Sequence, residues 1–308
     1  MILLNSLFLY ELNAAAINNR LHCLMVQIKI KQVKIDTHVH FWNYNKQRDA
    51  WITGDMQVLQ KDYIPDMLIP SLQENGIDGI VAVQADQSIA ETLFLKELAA
   101  NYPQIKGVIG WIDLRDKELQ KELEAYTRYP VIKGWRHIMQ AEPAGFLLKE
   151  DFLRGVRLLG EYNYTYDILV GHVQMAEVLA FADKLPEQKL VLDHCGKPDI
   201  KNKEIKEWTA LIKELSQYKH VYCKLSGLLT EADCYHWKEK DFYPYFDIIF
   251  SSFGTERIMF GSDHPVMLLA GRYAQWIDVI NKYMQQFSEA QRSAVFGENA
   301  VRFYHIKN

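Results

Sequence analysis

The feature that narrows the fold most is a regular alternation: short apolar, β-branched runs separated by segments of helical spacing, eight times over from Ile35 to the C-terminus. The runs lie at 35–42, 79–84, 107–112, 131–137, 166–170, 189–194, 221–226 and 257–263. Each is followed by a helix-compatible segment, and two helices open on capping-box patterns, Ser88 to Glu91 and Ser288 to Gln291. Strict β/α alternation with buried-type strands implies a parallel sheet, and eight units close a (β/α)8 barrel. An open doubly wound sheet is the runner-up. Against it, no glycine-rich phosphate loop follows the first strand, where His38, His40 and Trp42 stand instead. The expectation is an α/β protein, a single-domain TIM barrel over residues 26–308, preceded over residues 1–25 by an extension that is disordered or an upstream start.

Length agrees, since 308 residues suit one barrel of about 250 with decoration. With 35 basic against 39 acidic residues, the chain lacks the excess of cations that a nucleic-acid surface needs. No apolar run reaches the ~18 to 20 residues of a membrane span, and the first residues lack the basic start of a signal peptide. Four cysteines without a C-x-x-C pair fit a reduced, cytoplasmic compartment.

His38 and His40 are two positions apart on an extended strand, so both imidazoles leave one face and converge on one point. One further histidine and a carboxylate would complete a metal site with an open position. In a barrel of this kind, catalytic groups gather at the C-terminal ends of the strands. Strand four ends in Arg136 and His137, strand six in His194, strand seven in Lys224 and Ser226, and strand eight in Asp263 and His264. Several reactive groups on one rim describe a site. Each alone has a plainer reading: Asp263 as a helix cap, Arg136 as an ion-pair partner, Lys224 and Ser226 as hydrogen-bonding groups of the barrel mouth, His137 and His264 as packed histidines. Cys195 is expected outside the site, because adjacent strand residues face opposite ways and His194 would point inward.

The blocks His38-Val39-His40-Phe41-Trp42, Gly134-Trp135-Arg136-His137, Leu192-Asp193-His194-Cys195-Gly196-Lys197-Pro198, Lys224-Leu225-Ser226-Gly227 and Phe260-Gly261-Ser262-Asp263-His264-Pro265 resemble, in order and placement, those of the amidohydrolase superfamily. More narrowly, they are similar to its sugar-lactone hydrolases, of the fuconolactonase and rhamnonolactonase type, over about residues 34 to 305. The resemblance implies opening of a small sugar-acid lactone, of a 6-deoxy sugar, to the hydroxy acid. It also implies a ligand set of His38, His40, His194 and Asp263 for one divalent metal, zinc by preference, or a metal-independent route through the same residues. Lys133 precedes Gly134, so strand four offers no bridging ligand for a second metal.

Chemically, Asp263 is the candidate general base, with His194 and Arg136 as its catalytic partners polarising the carbonyl. Trp42, Trp135, Arg136, His137, Lys224, Ser226 and His264 are the candidate substrate contacts. The expected partner is a small sugar lactone, with no nucleic acid and no membrane; the oligomeric state is left open. Two alternatives stand beside this reading: a non-oxidative decarboxylase of the same superfamily, and a catalytically silent sugar-binding barrel.

Overall fold

The structure, a computed structural model, describes residues 32–307. The expected extension over residues 1–25, and its boundary with the barrel, lie outside that span.

Eight strands alternate with eight principal helices in the expected order. The strands are β1 (Ile35–Val39), β2 (Gly79–Val83), β3 (Ile105–Gly110), β4 (Ile132–Ile138), β5 (Thr165–Leu169), β6 (Leu190–Leu192), β7 (Val221–Leu225) and β8 (Ile258–Phe260). The helices are α1 (Pro65–Glu74), α2 (Ile89–Asn101), α3 (Leu119–Tyr126), α4 (Glu150–Glu161), α5 (Met175–Asp183), α6 (Lys206–Leu215), α7 (Glu239–Phe253) and α8 (Tyr273–Met284). Strand order follows the chain from β1 to β8, and every ladder is parallel. Beyond the ladders, the ends of β1 and β8 meet at a bridge between Val39 and His264, with His40 N–H donating to the His264 carbonyl at 2.7 Å. The amide of Asp263 donates to the His38 carbonyl at 2.8 Å, so the seam that closes the barrel also sets Asp263 beside the β1 histidines.

Period-two alternation divides the sheet residues between two cores. Ile35, Val81, Val83, Ile109, Val191 and Met259 point inward and pack with Phe303, Tyr304 and Ile306 of the C-terminal segment. Their sheet neighbours Ile80, Ala82, Val108 and Ile132 face the helices. In α4 the buried stripe is Phe152, Leu153, Val156 and Leu159, while Arg154 and Arg157 face solvent and Glu150 and Asp151 complement the helix N-terminus. Each such apolar side chain contributes roughly 1.5–3 kcal/mol by leaving water. Gly134 marks the tightest strand approach near the site, since a Cβ there would lie 2.7 Å from the Thr165 carbonyl oxygen. Any larger residue would push β4 off β5, and Arg136 with it.

Two local expectations change. The expected first, sixth and eighth strands are too long by two or three residues: β1 stops at Val39, just short of His40, β6 at Leu192 and β8 at Phe260, and after β6 and β8 the backbone turns left-handed at His194, Cys195, Gly196, Lys197 and Asp263. The apolar runs had continued through these residues, hiding the turns. At α2, Ser88 accepts from Glu91 N–H as a cap should, but the Glu91 carboxylate reaches back beyond the cap to the Ala85 amide, at 3.0 Å. The second capping box, Ser288 with Gln291, forms as expected.

Candidate active site

At the C-terminal mouth of the barrel, a cavity of about 470 Å³ is lined by His40, Trp42, Arg136, His194 and Asp263 among others. Its floor is one carboxylate oxygen facing three imidazoles. Asp263 Oδ1 lies 3.4 Å from His40 Nε2 and 3.9 Å from both His38 Nε2 and His194 Nε2. Each ring is oriented from behind. His40 Nδ1 is 2.8 Å from the Val83 carbonyl, an acceptor only, so Nδ1 carries a proton and Nε2 is the nitrogen turned toward Asp263. His194 Nδ1 pairs with Ser226 Oγ at 2.9 Å.

His194 and Asp263 reach these positions through the left-handed turns. The φ angles are 55° at His194, 53° at Cys195, 50° at Lys197 and 64° at Asp263, each costing a non-glycine residue roughly 1–2 kcal/mol. Anchors offset the strain: Trp208 Nε1 donates to the Cys195 carbonyl at 2.8 Å, and Cys195 Sγ to the Lys224 carbonyl at 3.3 Å. Cys195 therefore stays out of the cavity, as expected, though through this turn and not through strand alternation.

Beneath the floor lies a closed set of buried charges. Arg136 Nη1 stands 3.1 Å from Asp193 Oδ2 and 3.2 Å from His38 Nε2, and its Nη2 donates to the Gln84 carbonyl. Lys224 Nζ is 2.5 Å from Asp167 Oδ2, 3.1 Å from Asp193 Oδ1 and 3.3 Å from His38 Nδ1. Tyr304 OH donates to Asp167 Oδ2 at 3.1 Å. Two cations and two carboxylates balance, which is what buried charges require.

This environment sets the protonation states. Burial pushes His38 well below its ordinary value, outweighing the attraction of Asp193, and brings His194 down to about 4 against the pull of Asp263 and Asp193. Burial alone would raise Asp263; the charge of His194, the hydrogen bond from His40 and the nearby His38 more than offset it and hold the carboxyl well below the usual range. Burial likewise opposes ionisation of Asp193, but Lys224 and His38 outweigh it. At neutral pH the floor is thus an ionised carboxylate among imidazoles of which His38 and His194 are neutral.

Of the expected site residues, the structure brings together His38, His40, His194, Asp263, Arg136 and Trp42. Five expected substrate contacts do not face the cavity. His137 and Trp135 share the outward face of β4: His137 pairs with Glu142 at 2.8 Å between Phe146 and Phe152, and Trp135 packs on Tyr126 and Tyr164. Lys224 and Ser226 are fully buried under the floor, behind the rings they touch. His264 packs between Tyr63 and Tyr273.

Sequence reasoning gave no individual site role to Asp193, Asp167 and Gln84, or to Arg48, Trp51, Asp86 and Lys197, which line the cavity. Asp167 carried a signal, a lone acid inside the apolar run Tyr166-Asp167-Ile168-Leu169. Arg48 and Trp51 lie in the long segment after β1, a length more often functional than idle.

The donor set fits a metal ion. Ligand atoms of His38, His194 and Asp263 all lie within 4.8 Å of one another, with His40 Nε2 adjacent, and imidazole with carboxylate suits zinc and its neighbours. The set suits one ion: Lys133, the nearest strand-four lysine, sends its Nζ to the His305 carbonyl at 3.1 Å.

A barrel with this rim belongs to a known class, and the chain is a member of the amidohydrolase family, whose profile matches residues 35–306. Among its relatives is the L-fucono-1,5-lactonase of Burkholderia multivorans, 38% identical over 289 residues that span 89% of this chain and 96% of that protein. The same lactonase of Burkholderia ambifaria is 30% identical, over 89% of this chain and 96% of its own length. A crystal structure of a Burkholderia multivorans amidohydrolase with bound zinc superposes with a TM-score of 0.87 at 38% identity, covering 89% of this chain and all of that one. Among the described residues, no helix is long and apolar enough to cross a membrane.

Proposed function

We propose that this amidohydrolase opens the ring of a small sugar-acid lactone, a 6-deoxy aldonolactone such as L-fucono-1,5-lactone, in the cytoplasm. The observation that carries the reading is the ionised Asp263 oxygen at the cavity floor, facing three imidazole nitrogens within 3.9 Å. It is a site for holding one water against one electrophilic carbonyl. The similarity to two L-fucono-1,5-lactonases supports the choice of lactone, and the free thiols of Cys195, Cys223 and Cys234 suit a reducing compartment.

In this reading Asp263 Oδ1 accepts a proton from the attacking water as its oxygen bonds to the lactone carbonyl carbon. Arg136, whose guanidinium reaches the cavity from below, stabilises the charge that develops on the carbonyl oxygen, with His194 beside it. The ring C–O bond then breaks, and Asp263 returns the proton to the departing ring oxygen. The new carboxylic acid ionises in solvent, releasing one proton per turnover. One divalent ion, zinc by preference, would be held by His38, His40, His194 and Asp263, and when bound supplies Lewis-acid polarisation of the carbonyl and a more acidic water. Trp42 and Trp51, edge to face, form an apolar wall, and Arg48, Asp86 and Lys197 are placed to meet hydroxyls. Lys224 and Ser226 act from behind, orienting His38 and His194, while His137 and His264 serve packing.

A panel of aldonolactones followed with a pH indicator tests the proposal, run on native protein, on Asp263→Asn and on a chelator-treated sample. Rapid acid release from one 6-deoxy lactone, lost in Asp263→Asn, is expected. An inert panel with and without added zinc would sink the reading, and carbon dioxide release from an aromatic acid would replace it with the decarboxylase.

A further inference from the structure

The C-terminal segment plugs the barrel near the starts of the strands, and one side chain of the plug reaches the buried charges under the floor. Phe303, Tyr304 and Ile306 pack against the apolar barrel interior, Val81, Ile109 and Met259 among it. The segment is fastened on several sides. Asn299 Nδ2 donates to the carbonyls of Thr255 and Ile258 at 2.7 Å each, Lys133 Nζ donates to the His305 carbonyl at 3.1 Å, and Lys189 Nζ lies 2.8 Å from His305 Nε2. In such apolar surroundings a phenylalanine at 304 would fill the space as well, and a buried hydroxyl costs free energy unless it finds a partner. Tyr304 is 1% exposed, and its OH is aimed at Asp167, 3.1 Å from Oδ2 and 3.3 Å from Oδ1.

Asp167 is the lower end of a chain of contacts that rises to the floor. Lys224 Nζ bonds Asp167 Oδ2 on one side and Asp193 Oδ1 on the other, the latter at 3.1 Å, and stands 3.3 Å from His38 Nδ1. Asp193 Oδ2 in turn meets Arg136 Nη1 at 3.1 Å. Among the described residues, the Asp167 carboxylate has two hydrogen-bond donors, the ammonium of Lys224 and the phenol of Tyr304. Without the phenol, the carboxylate can turn wholly to Lys224 and draw the ammonium down, away from Asp193 and His38.

We propose that Tyr304 is a positioning residue of the active site: its phenol fixes Asp167, which holds Lys224 at the height where it supports both His38 and the Asp193–Arg136 pair. The C-terminal segment thus completes the floor from the far end of the barrel. A displacement of about 1 Å among reacting groups is enough to lower a rate about a hundredfold. The kinetic consequence rests on the lactonase reading above; the placement of His38 does not.

The test compares the full-length native protein with two variants. Tyr304→Phe keeps the ring, whose centre lies 5.7 Å from Lys224 Nζ, and removes only the donor. Phe303→Leu loosens the plug where it packs on Tyr222 and leaves the Tyr304 phenol in place. Tyr304→Phe is expected to open L-fucono-1,5-lactone with kcat lower by about 10- to 100-fold and KM within about twofold of native, because the cavity walls are untouched. Phe303→Leu should keep kcat within about twofold of native. Long-range ¹H–¹⁵N spectra of the histidine rings need no substrate: in Tyr304→Phe the His38 resonances should move while those of His137, paired with Glu142 on the outer face of β4, stay. Native kcat or native His38 resonances in Tyr304→Phe, or an equal loss of kcat in Phe303→Leu, would overturn the proposal. If the native protein is inert toward lactones, the lactonase reading fails and the His38 resonances alone decide. Should Tyr304→Phe not fold, 3-fluorotyrosine placed at 304, a stronger donor of nearly the same size, must shift the His38 resonances, and unchanged resonances would overturn the proposal equally.

Discussion

Asp263 Oδ1 lies 3.4 Å from Nε2 of His40, whose other nitrogen is committed to the Val83 carbonyl on the neighbouring strand. The ring cannot rotate without breaking that 2.8 Å bond, so the carboxylate faces a fixed partner. Asp263→Asn keeps the size of the side chain and removes its ability to take a proton. The expected outcome is a kcat lower by roughly 10²–10⁴-fold with an unfolding transition close to native. Steady-state kinetics and a thermal melt read both.

Lys224 separates two roles. As a substrate contact, its loss would raise KM. Buried between Asp167 and Asp193, it instead neutralises two carboxylates that have no route to water. Lys224→Met is expected to destabilise the fold by about 3–5 kcal/mol, because it leaves uncompensated buried charge. Urea unfolding gives the number. A variant of native stability with raised KM would return Lys224 to the cavity.

How much of this was legible beforehand differs between strands and turns. Each strand and each following helix was visible in the alternation, and so was the convergence of His38, His40, His194 and Asp263, because strand ends in a barrel share one rim. What failed was direction. His137 and Lys224 sit on strands beside true site positions, but β4 places 136 inward and 137 outward, and Lys224, fourth of the five β7 residues, spends its ammonium on Asp167 and Asp193 beneath the floor. The turns after β6 and β8 were read as strand, since no glycine announces a left-handed conformation at His194 or Asp263. The countercharges Asp167 and Asp193 were invisible as a pair because only the closed sheet brings them to Lys224.

Trp51 is 43% exposed and stands edge-on to Trp42 at 5.9 Å between ring centres, at the cavity lip. Removing it takes away apolar wall and leaves the floor intact. Trp51→Ala is therefore expected to raise KM about three- to tenfold, with kcat within about twofold of native. A fall in kcat alone would mean that the loop acts on chemistry.

Glu91 gives the fold a pH-dependent element outside the floor. Burial pushes its carboxyl up to about 7, assisted by Asp86 and Asp49 and opposed by the Ala85 amide and Arg48. The folded state thus binds the proton more tightly than the unfolded chain, whose value is near 4.5. Its contribution is present in full below the unfolded value and is lost as pH rises through about 7. Glu91→Gln, which retains an oxygen for the Ala85 amide, should lessen the loss of stability between about pH 5 and about pH 8 by roughly 2–3 kcal/mol. Denaturation at the two pH values checks it, and an unchanged pH dependence would show that Glu91 stays ionised.

The proposed reaction turns on Asp263 driving water into a sugar lactone. The most direct measurement is kcat/KM for L-fucono-1,5-lactone with native protein and with Asp263→Asn, after subtraction of spontaneous ring opening. Efficient hydrolysis by the native chain and a loss of at least about a hundredfold in the variant are expected. Equal rates for the two proteins, or no rate above the spontaneous one for either, would contradict it.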